Sequence, residues 1–240
     1  MKSPTFKHIH RIGIELEGGW NKLMPDVCIG RDGSVSTNAT HSGELPSPPL
    51  YPFRFEAWLR NHHPHVTNNS CGMHVHLSVR SPRDYSRLMK RQFFNLFIKE
   101  AEVFGKSLNL PLNHEYWARL SGHNSYCLKV FRPMAQFRQT GKGGDRYTQL
   151  NFCWNLHGTM ECRLFPAFEK PDHSVAAVKW LLNLTETYLR GFKRREKTEV
   201  LKIYAGMPLP PEPPAEPEED VEVPDEFADE ETFDDEEDSN

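Results

Sequence analysis

The chain has 240 residues, of which 38% are hydrophobic and 26% charged, a size that suits one ordinary domain with appendages. No apolar run approaches the roughly 18 residues that a membrane helix needs, and the start (MKSPTFKHIHRIGIELEGG) lacks the apolar core of a signal peptide, so a cytoplasmic location is expected. Five cysteines, at 28, 71, 127, 153 and 162, make an odd number without a C-x-x-C pair. That pattern argues against both a disulfide framework and a zinc ribbon, and predicts free thiols.

The net charge of −4 conceals an asymmetry. Residues 206–240 hold 16 acids, no Lys or Arg, and 7 of the 19 prolines. Residues 1–205 keep 17 acids against 29 bases and are therefore strongly basic. The predicted organisation is a folded domain over 1–205 and a disordered Pro/Asp/Glu-rich tail over 206–240, because the tail has too little apolar surface to offset its ordering entropy and its charges repel. A solubilising role is the plain reading of such a tail. The sharper one is that it contacts the basic body and competes there with an anionic substrate.

The first predicted strand, Lys7–Gly18, alternates polar and apolar residues. Ile12, Ile14 and Leu16 share one face, and Glu15 and Glu17 the other. A short helix is predicted over Pro52–Asn61. The second strand, Cys71–Val79, sets Met73, Val75, Leu77 and Val79 opposite His74, His76 and Ser78. Ser81-Pro82 then caps a helix predicted to run to about Leu108. Strands over Thr148–Asn155 and Thr159–Phe165 follow, joined like a hairpin through Asn155-Leu156-His157-Gly158, and the second of them carries Glu161 and Arg163 on one face. A last helix runs from Ser174 to about Phe192, with apolar residues at helical spacing. Strands and helices do not alternate strictly, so the expected class is α+β with a mainly antiparallel sheet.

Residues i and i+2 of a strand point to the same side about 7 Å apart. Glu15 and Glu17, His74 and His76, and Glu161 and Arg163 are therefore three such polar pairs. A lone E-x-E is most often a solvated strand face, and a lone H-x-H is often surface or packing. Three pairs on polar strand faces form a more specific pattern. Carboxylates with an imidazole suit Mg²⁺ or Mn²⁺, which take oxygen ligands and pair with nucleotide phosphates. Arginine adds bidentate recognition of phosphate or carboxylate. Together these residues suggest phosphoryl transfer with two metal ions. Gly141-Lys142-Gly143-Gly144-Asp145-Arg146 lacks the spacing of a phosphate-binding loop and reads as a plain loop. Arg190, Lys193, Arg194, Arg195 and Lys197 suit the end of a helix better than a nucleic-acid surface.

Cys71-Gly72-Met73-His74-Val75-His76-Leu77-Ser78 is similar to the G-M-H-x-H-x-S segment of glutamine synthetases. The closer resemblance is to the smaller glutamine-synthetase-like carboxylate–amine ligases, the amidoligases. Six of their motifs appear here in order: Glu15/Glu17, Asp32-Gly33-Ser34, Glu44-Leu45-Pro46-Ser47-Pro48, Cys71–His76, Arg146-Tyr147-Thr148-Gln149-Leu150-Asn151, and Glu161/Arg163. The resemblance spans about residues 12–190. It implies a glutamine-synthetase-type catalytic sheet and an ATP-dependent ligase that forms an amide from a small-molecule or peptide carboxylate and an amine. By that resemblance Glu15, Glu17, Glu44, His74 and Glu161 would share two Mg²⁺ (or Mn²⁺) ions. His76 and Ser78 would lie near the nucleotide, and Arg163 would hold the transferring phosphate. Arg146 and Arg119 are further candidates for phosphate or the acceptor carboxylate. No counterpart of the glutamine synthetase N-terminal domain is expected, so the resemblance does not extend to that family's ring assembly or ammonia-binding acid.

Two rivals remain at this point. A zinc-dependent hydrolase would use Cys28, Cys71, His74 and His76, but leaves Arg163 and the paired acids unexplained. A non-enzymatic module binding nucleic acid or another anion would use the basic body alone.

Overall fold

The computed structural model describes residues 6–23, 27–132 and 147–191. Arg146 and the rest of Gly141–Arg146 lie outside these residues, as do Lys193, Arg194, Arg195, Lys197 and the tail.

The fold is α+β, built on a five-stranded antiparallel sheet whose order is β2 (His41–Pro46), β1 (Ile9–Trp20), β3 (Gly72–Val79), β5 (Thr159–Pro166), β4 (Leu150–Cys153). Strand β1 (Ile9–Trp20) and strand β3 (Gly72–Val79) lie where the alternation put them. Strand β5 (Thr159–Pro166) agrees with its expected range almost to the residue. Strand β4 is shorter than expected, Leu150–Cys153, because Trp154–His157 turn into a brief helix, α5, ended by Gly158 in the left-handed conformation (φ +65°). Strand β2 (His41–Pro46) was not foreseen and adds the outer edge beside β1.

Helix α1 spans Phe55–His62 and α6 Pro171–Leu189. The single long helix expected after Ser81 is two helices, α2 (Pro82–Leu88) and α3 (Arg91–Ser107). The Ser81 hydroxyl caps the first by accepting from the Asp84 N–H at 3.1 Å, with Pro82 in its first turn. The chain then turns extended at Lys90 before the second begins. Helix α4 (Glu115–Ser121), also unforeseen, is capped by the His114 ring and closed by Gly122 at φ +84°.

The two faces of the sheet differ sharply. Ile12, Ile14 and Leu16 of β1, Val75 and Leu77 of β3, and Met160, Cys162 and Leu164 of β5 are buried in one hydrophobic cluster. Phe93, Phe97 and Phe104 of α3 and Val178, Leu181 and Leu182 of α6 complete that cluster. Burial of the strand side chains, each worth about 1.5–3 kcal/mol, fixes strand register, since a slip of one residue in a strand would send its whole apolar set to the opposite face. The polar residues of the same strands are thereby held together on the other side. All five cysteines are free thiols. Among the described residues no helix is long and apolar enough to cross a membrane.

Candidate metal and phosphate site on the polar sheet face

Register sets the site. Glu15 of β1 stands opposite His74 of β3, Gly13 opposite His76, His76 opposite Glu161 of β5, and Glu161 opposite Asn151 of β4. On the other flank Glu17 stands opposite Glu44 of β2. Four strands thus deliver a row of acids and imidazoles to one patch.

His74 is the hub, with its side chain only 6% exposed. Its Nδ1 lies 3.2 Å from Glu15 Oε2 and 3.6 Å from Glu161 Oε1, and its Nε2 lies 3.5 Å from Glu17 Oε1. His76 lies alongside: Nδ1 is 3.2 Å from the Thr159 hydroxyl, and Nε2 is 3.1 Å from Glu15 Oε1 and 4.0 Å from Glu161 Oε1. The buried His76 Nε2 has an aligned hydrogen bond to neither carboxylate. Glu15, His76 and Glu161 each offer a ligand atom, and these atoms all lie within 4.8 Å of one another.

The remaining partners orient these groups. Glu161 is gripped on both oxygens: Asn151 Nδ2 donates to Oε2 at 2.7 Å and an Arg163 guanidinium nitrogen donates to Oε1 at 2.6 Å. Arg163 also donates to the Tyr126 carbonyl at 3.3 Å and lies 5.4 Å from the centre of the Tyr147 ring. The ladder between β3 and β5 shifts register between Met73 and Val75, opposite the Arg163 neighbourhood, an irregularity of the kind that re-aims side chains. The Gly72 N–H donates to Glu17 Oε2 at 2.6 Å. A Cβ on Gly72 would sit 2.9 Å from that oxygen, 3.1 Å from an Arg119 nitrogen and 3.3 Å from His74 Nε2, so only glycine leaves this corner open.

Electrostatics follow from these contacts. Burial raises the Glu15 pKa, but the His74 hydrogen bond and the His76 imidazole 3.1 Å away outweigh it and hold the carboxyl well below its usual range. Glu161 is likewise lowered: burial opposes, while the Arg163, His74 and His76 charges and the Asn151 bond prevail. For His76, burial pulls the pKa down and the Glu15 and Glu161 carboxylates raise it by more. Glu44 is raised, by burial first and then by the Glu15 charge, with Glu17 adding to it. Among the described residues, this anionic cluster is balanced by imidazoles and Arg163.

Residues a cation would need are present: two carboxylates, an imidazole with an unmatched buried nitrogen, and further acids at the border. This donor set fits Mg²⁺ or Mn²⁺. The trio with converging donors contains His76, which the resemblance puts near the nucleotide, while His74, which it makes a metal ligand, bridges Glu15, Glu161 and Glu17. Glu44 is a register partner and electrostatic neighbour but not one of the trio. Ser78 lies further along the same face of β3, half-buried. Arg119 is bound to the scaffold around the cluster. It is 3% exposed and its guanidinium is committed to the carbonyls of Cys71 (3.3 Å) and Arg163 (3.4 Å) and to Glu115 (3.5 Å). It therefore braces Cys71, just before β3, against Arg163 of β5 and lies beside the Gly72 corner of the cluster. Asp32 accepts from the Ser34 N–H and hydroxyl at 2.8 and 2.7 Å, as its own tight turn requires. The Cys71 thiol, raised in pKa by burial, contacts Asn68 and Ser70, and no cysteine belongs to the converging trio. Asn151, which residue types alone did not single out as part of the site, is a direct partner of Glu161.

Comparison of the chain with protein-family models, with curated proteins and with solved structures finds no match in any of the three.

Proposed function

We propose that the chain is an ATP-dependent carboxylate–amine ligase that forms an amide through an acyl phosphate. The observation that carries this reading is the convergence of Glu15, His76 and Glu161 within 4.8 Å, flanked by His74, Glu17 and Arg163, on the polar face of an antiparallel sheet. The motif order supports it as well: the residues that resemble amidoligase E-x-E, H-x-H and E-x-R segments lie on the adjacent strands β1, β3 and β5.

In this reading Glu15, His76 and Glu161 hold a divalent cation, and His74, Glu17 and Glu44 border it with donors for a second. A cation bound there supplies charge neutralisation for the phosphates of ATP. The chain's own groups do the positioning. Asn151 and Arg163 fix the Glu161 carboxylate, Thr159 fixes the His76 ring, and the Gly72 N–H fixes Glu17. Arg163 has five N–H donors, more than its bonds to Glu161 and the Tyr126 carbonyl use, and so can also meet a phosphoryl oxygen. A carboxylate oxygen of the substrate attacks the terminal phosphorus and ADP leaves. An amine nitrogen then attacks the acyl carbon, phosphate leaves with the C–O bond's electron pair, and the nitrogen gives up a proton. Fixed positive charge stabilises the negative charge that develops at both steps.

The test is ATP turnover to ADP and phosphate with Mg²⁺ across pools of small-molecule and peptide carboxylates and amines. The expected result is phosphate release stoichiometric with new amide for one pair. Tight stoichiometric zinc in the purified protein, with hydrolysis and no ATP dependence, would contradict the proposal.

A further inference from the structure

Beyond β2 the chain continues along β1: Ile12 and Leu50 exchange backbone hydrogen bonds of 2.9 and 2.8 Å. This brings Tyr51 beside Arg11, whose guanidinium carbon lies 3.3 Å from the centre of the Tyr51 ring. Phe53 stacks on Tyr51 with centroids 5.5 Å apart and planes 14° from parallel, and Arg54 lies 5.6 Å from the Phe53 ring. Tyr51 is 47% exposed and Phe53 65%. Single exposed apolar residues are commonplace. Two aromatic rings stacked in solvent with an arginine against each bury little for the fold and present a ready stacking surface.

Their position gives the surface a meaning. Arg11, Gly13, Glu15 and Glu17 alternate along β1 on the face that carries the acidic and imidazole cluster, and Arg11 is the register partner of Ser78. Four residues at 3.3 Å each separate Arg11 from Glu15 by about 13 Å along the strand. The only intervening residue of β1 on that face is Gly13, which has no side chain to block the path. An extended nucleoside triphosphate has this shape: phosphates for the cation cluster at one end and a flat base at the other.

We infer that Arg11, Tyr51 and Phe53 form the base-stacking platform for the nucleotide whose phosphates meet Glu15, His76 and Glu161. This rests on the nucleotide reading of the cluster. Stacking on aromatic rings and guanidinium planes is the general way flat bases are held, and each good base–aromatic contact contributes substantially to affinity.

The experiment measures binding of ATP and of inorganic tripolyphosphate, both with Mg²⁺, to the full chain by calorimetry. Wild type is compared with Phe53→Ser and with Tyr51→Ser/Phe53→Ser, substitutions of exposed rings whose loss leaves the core intact. The expected result is a loss of ATP affinity of roughly tenfold or more, the scale of one lost base–aromatic contact, with tripolyphosphate binding unchanged. Unchanged ATP affinity in the double variant, or an equal loss for both probes, would overturn the platform while leaving the cation cluster standing. Wild type that binds neither probe would overturn the nucleotide reading and the platform with it.

Discussion

Glu17 Oε2 sits 2.6 Å from the backbone nitrogen of Gly72, in a corner too tight for any side chain at position 72. Gly72→Ala would place a Cβ 2.9 Å from that oxygen and 3.3 Å from His74 Nε2, pushing both off their present geometry. Loss of an orienting contact of this kind typically costs roughly 10- to 100-fold in metal affinity. Gly72→Ala is therefore expected to weaken Mn²⁺ binding on that scale while circular dichroism shows the fold retained. Full cation affinity in this variant would show that the corner is not part of the site.

Arg163 and Glu161 form a buried pair, with side chains 12% and 6% exposed and an N–O distance of 2.6 Å. Removing one partner of such a pair leaves an uncompensated charge and costs roughly 3–5 kcal/mol. Arg163→Ala should lower the denaturant midpoint accordingly and abolish ATP turnover. Arg163→Lys should recover much of the stability but little of the activity, because an ammonium keeps the charge without the planar fork. Equal activity in the lysine variant would argue against a role for the guanidinium geometry.

The faces of β1, β3 and β5 were legible because their alternation separates two chemistries: isoleucine and leucine against glutamate, methionine and valine against histidine. Elements without such contrast were not. His41–Pro46 contains glycine and proline with no alternation, so the strand that carries Glu44 emerged only through its pairing with β1. Helix α4 is seven residues long, too short to show a periodicity, and so Arg119 could be picked as a charged residue but not seen to be buried. The break between α2 and α3 has neither glycine nor proline to mark it; the extended backbone of Lys90 makes it. Spacing showed that His74 and His76 share a face. Both imidazoles reach Glu15 and Glu161; that convergence depends on cross-strand register and side-chain direction, which one strand's sequence does not contain.

Asn151 gives a prediction drawn from that register. Its side-chain N–H donates to Glu161 at 2.7 Å, in a region where both residues are 4% exposed. Truncation leaves that buried carboxylate oxygen with only the weak, long donor of the Cys153 thiol at 3.9 Å, a loss of about 1–3 kcal/mol. Asn151→Ala is expected to show that drop in urea unfolding together with weakened cation binding. A variant of unchanged stability would mean that the bond is not made in solution.

Stability should depend on pH through histidines remote from the cluster. His63 Nδ1 lies 3.1 Å from the Pro64 carbonyl and Nε2 3.2 Å from the Ser174 hydroxyl, and burial lowers its pKa from the ordinary 6.5. Burial lowers His114 and His173 in the same direction. The unfolded chain binds these protons more readily, so their contribution is fully present above about pH 6.5 and is lost as pH falls through the depressed folded values. His76, raised in the folded state, acts oppositely: its contribution is present at low pH and lost as pH rises through its folded value. The difference between wild type and His63→Gln isolates one group. The wild-type urea midpoint should fall more steeply from pH 7 to pH 5 than that of the variant. Identical slopes would show that His63 is not held neutral by its surroundings.

Mn²⁺ binding followed by electron paramagnetic resonance tests the convergence of Glu15, His76 and Glu161 most directly, because the signal of the free aquo ion falls as the protein takes it up. Wild type should bind Mn²⁺, with tighter binding when ATP is present, whereas Glu15→Gln and His76→Asn should lose that binding and still unfold cooperatively. Wild type that takes up no Mn²⁺, or variants that bind it as well as wild type does, would contradict a cation site on this sheet face.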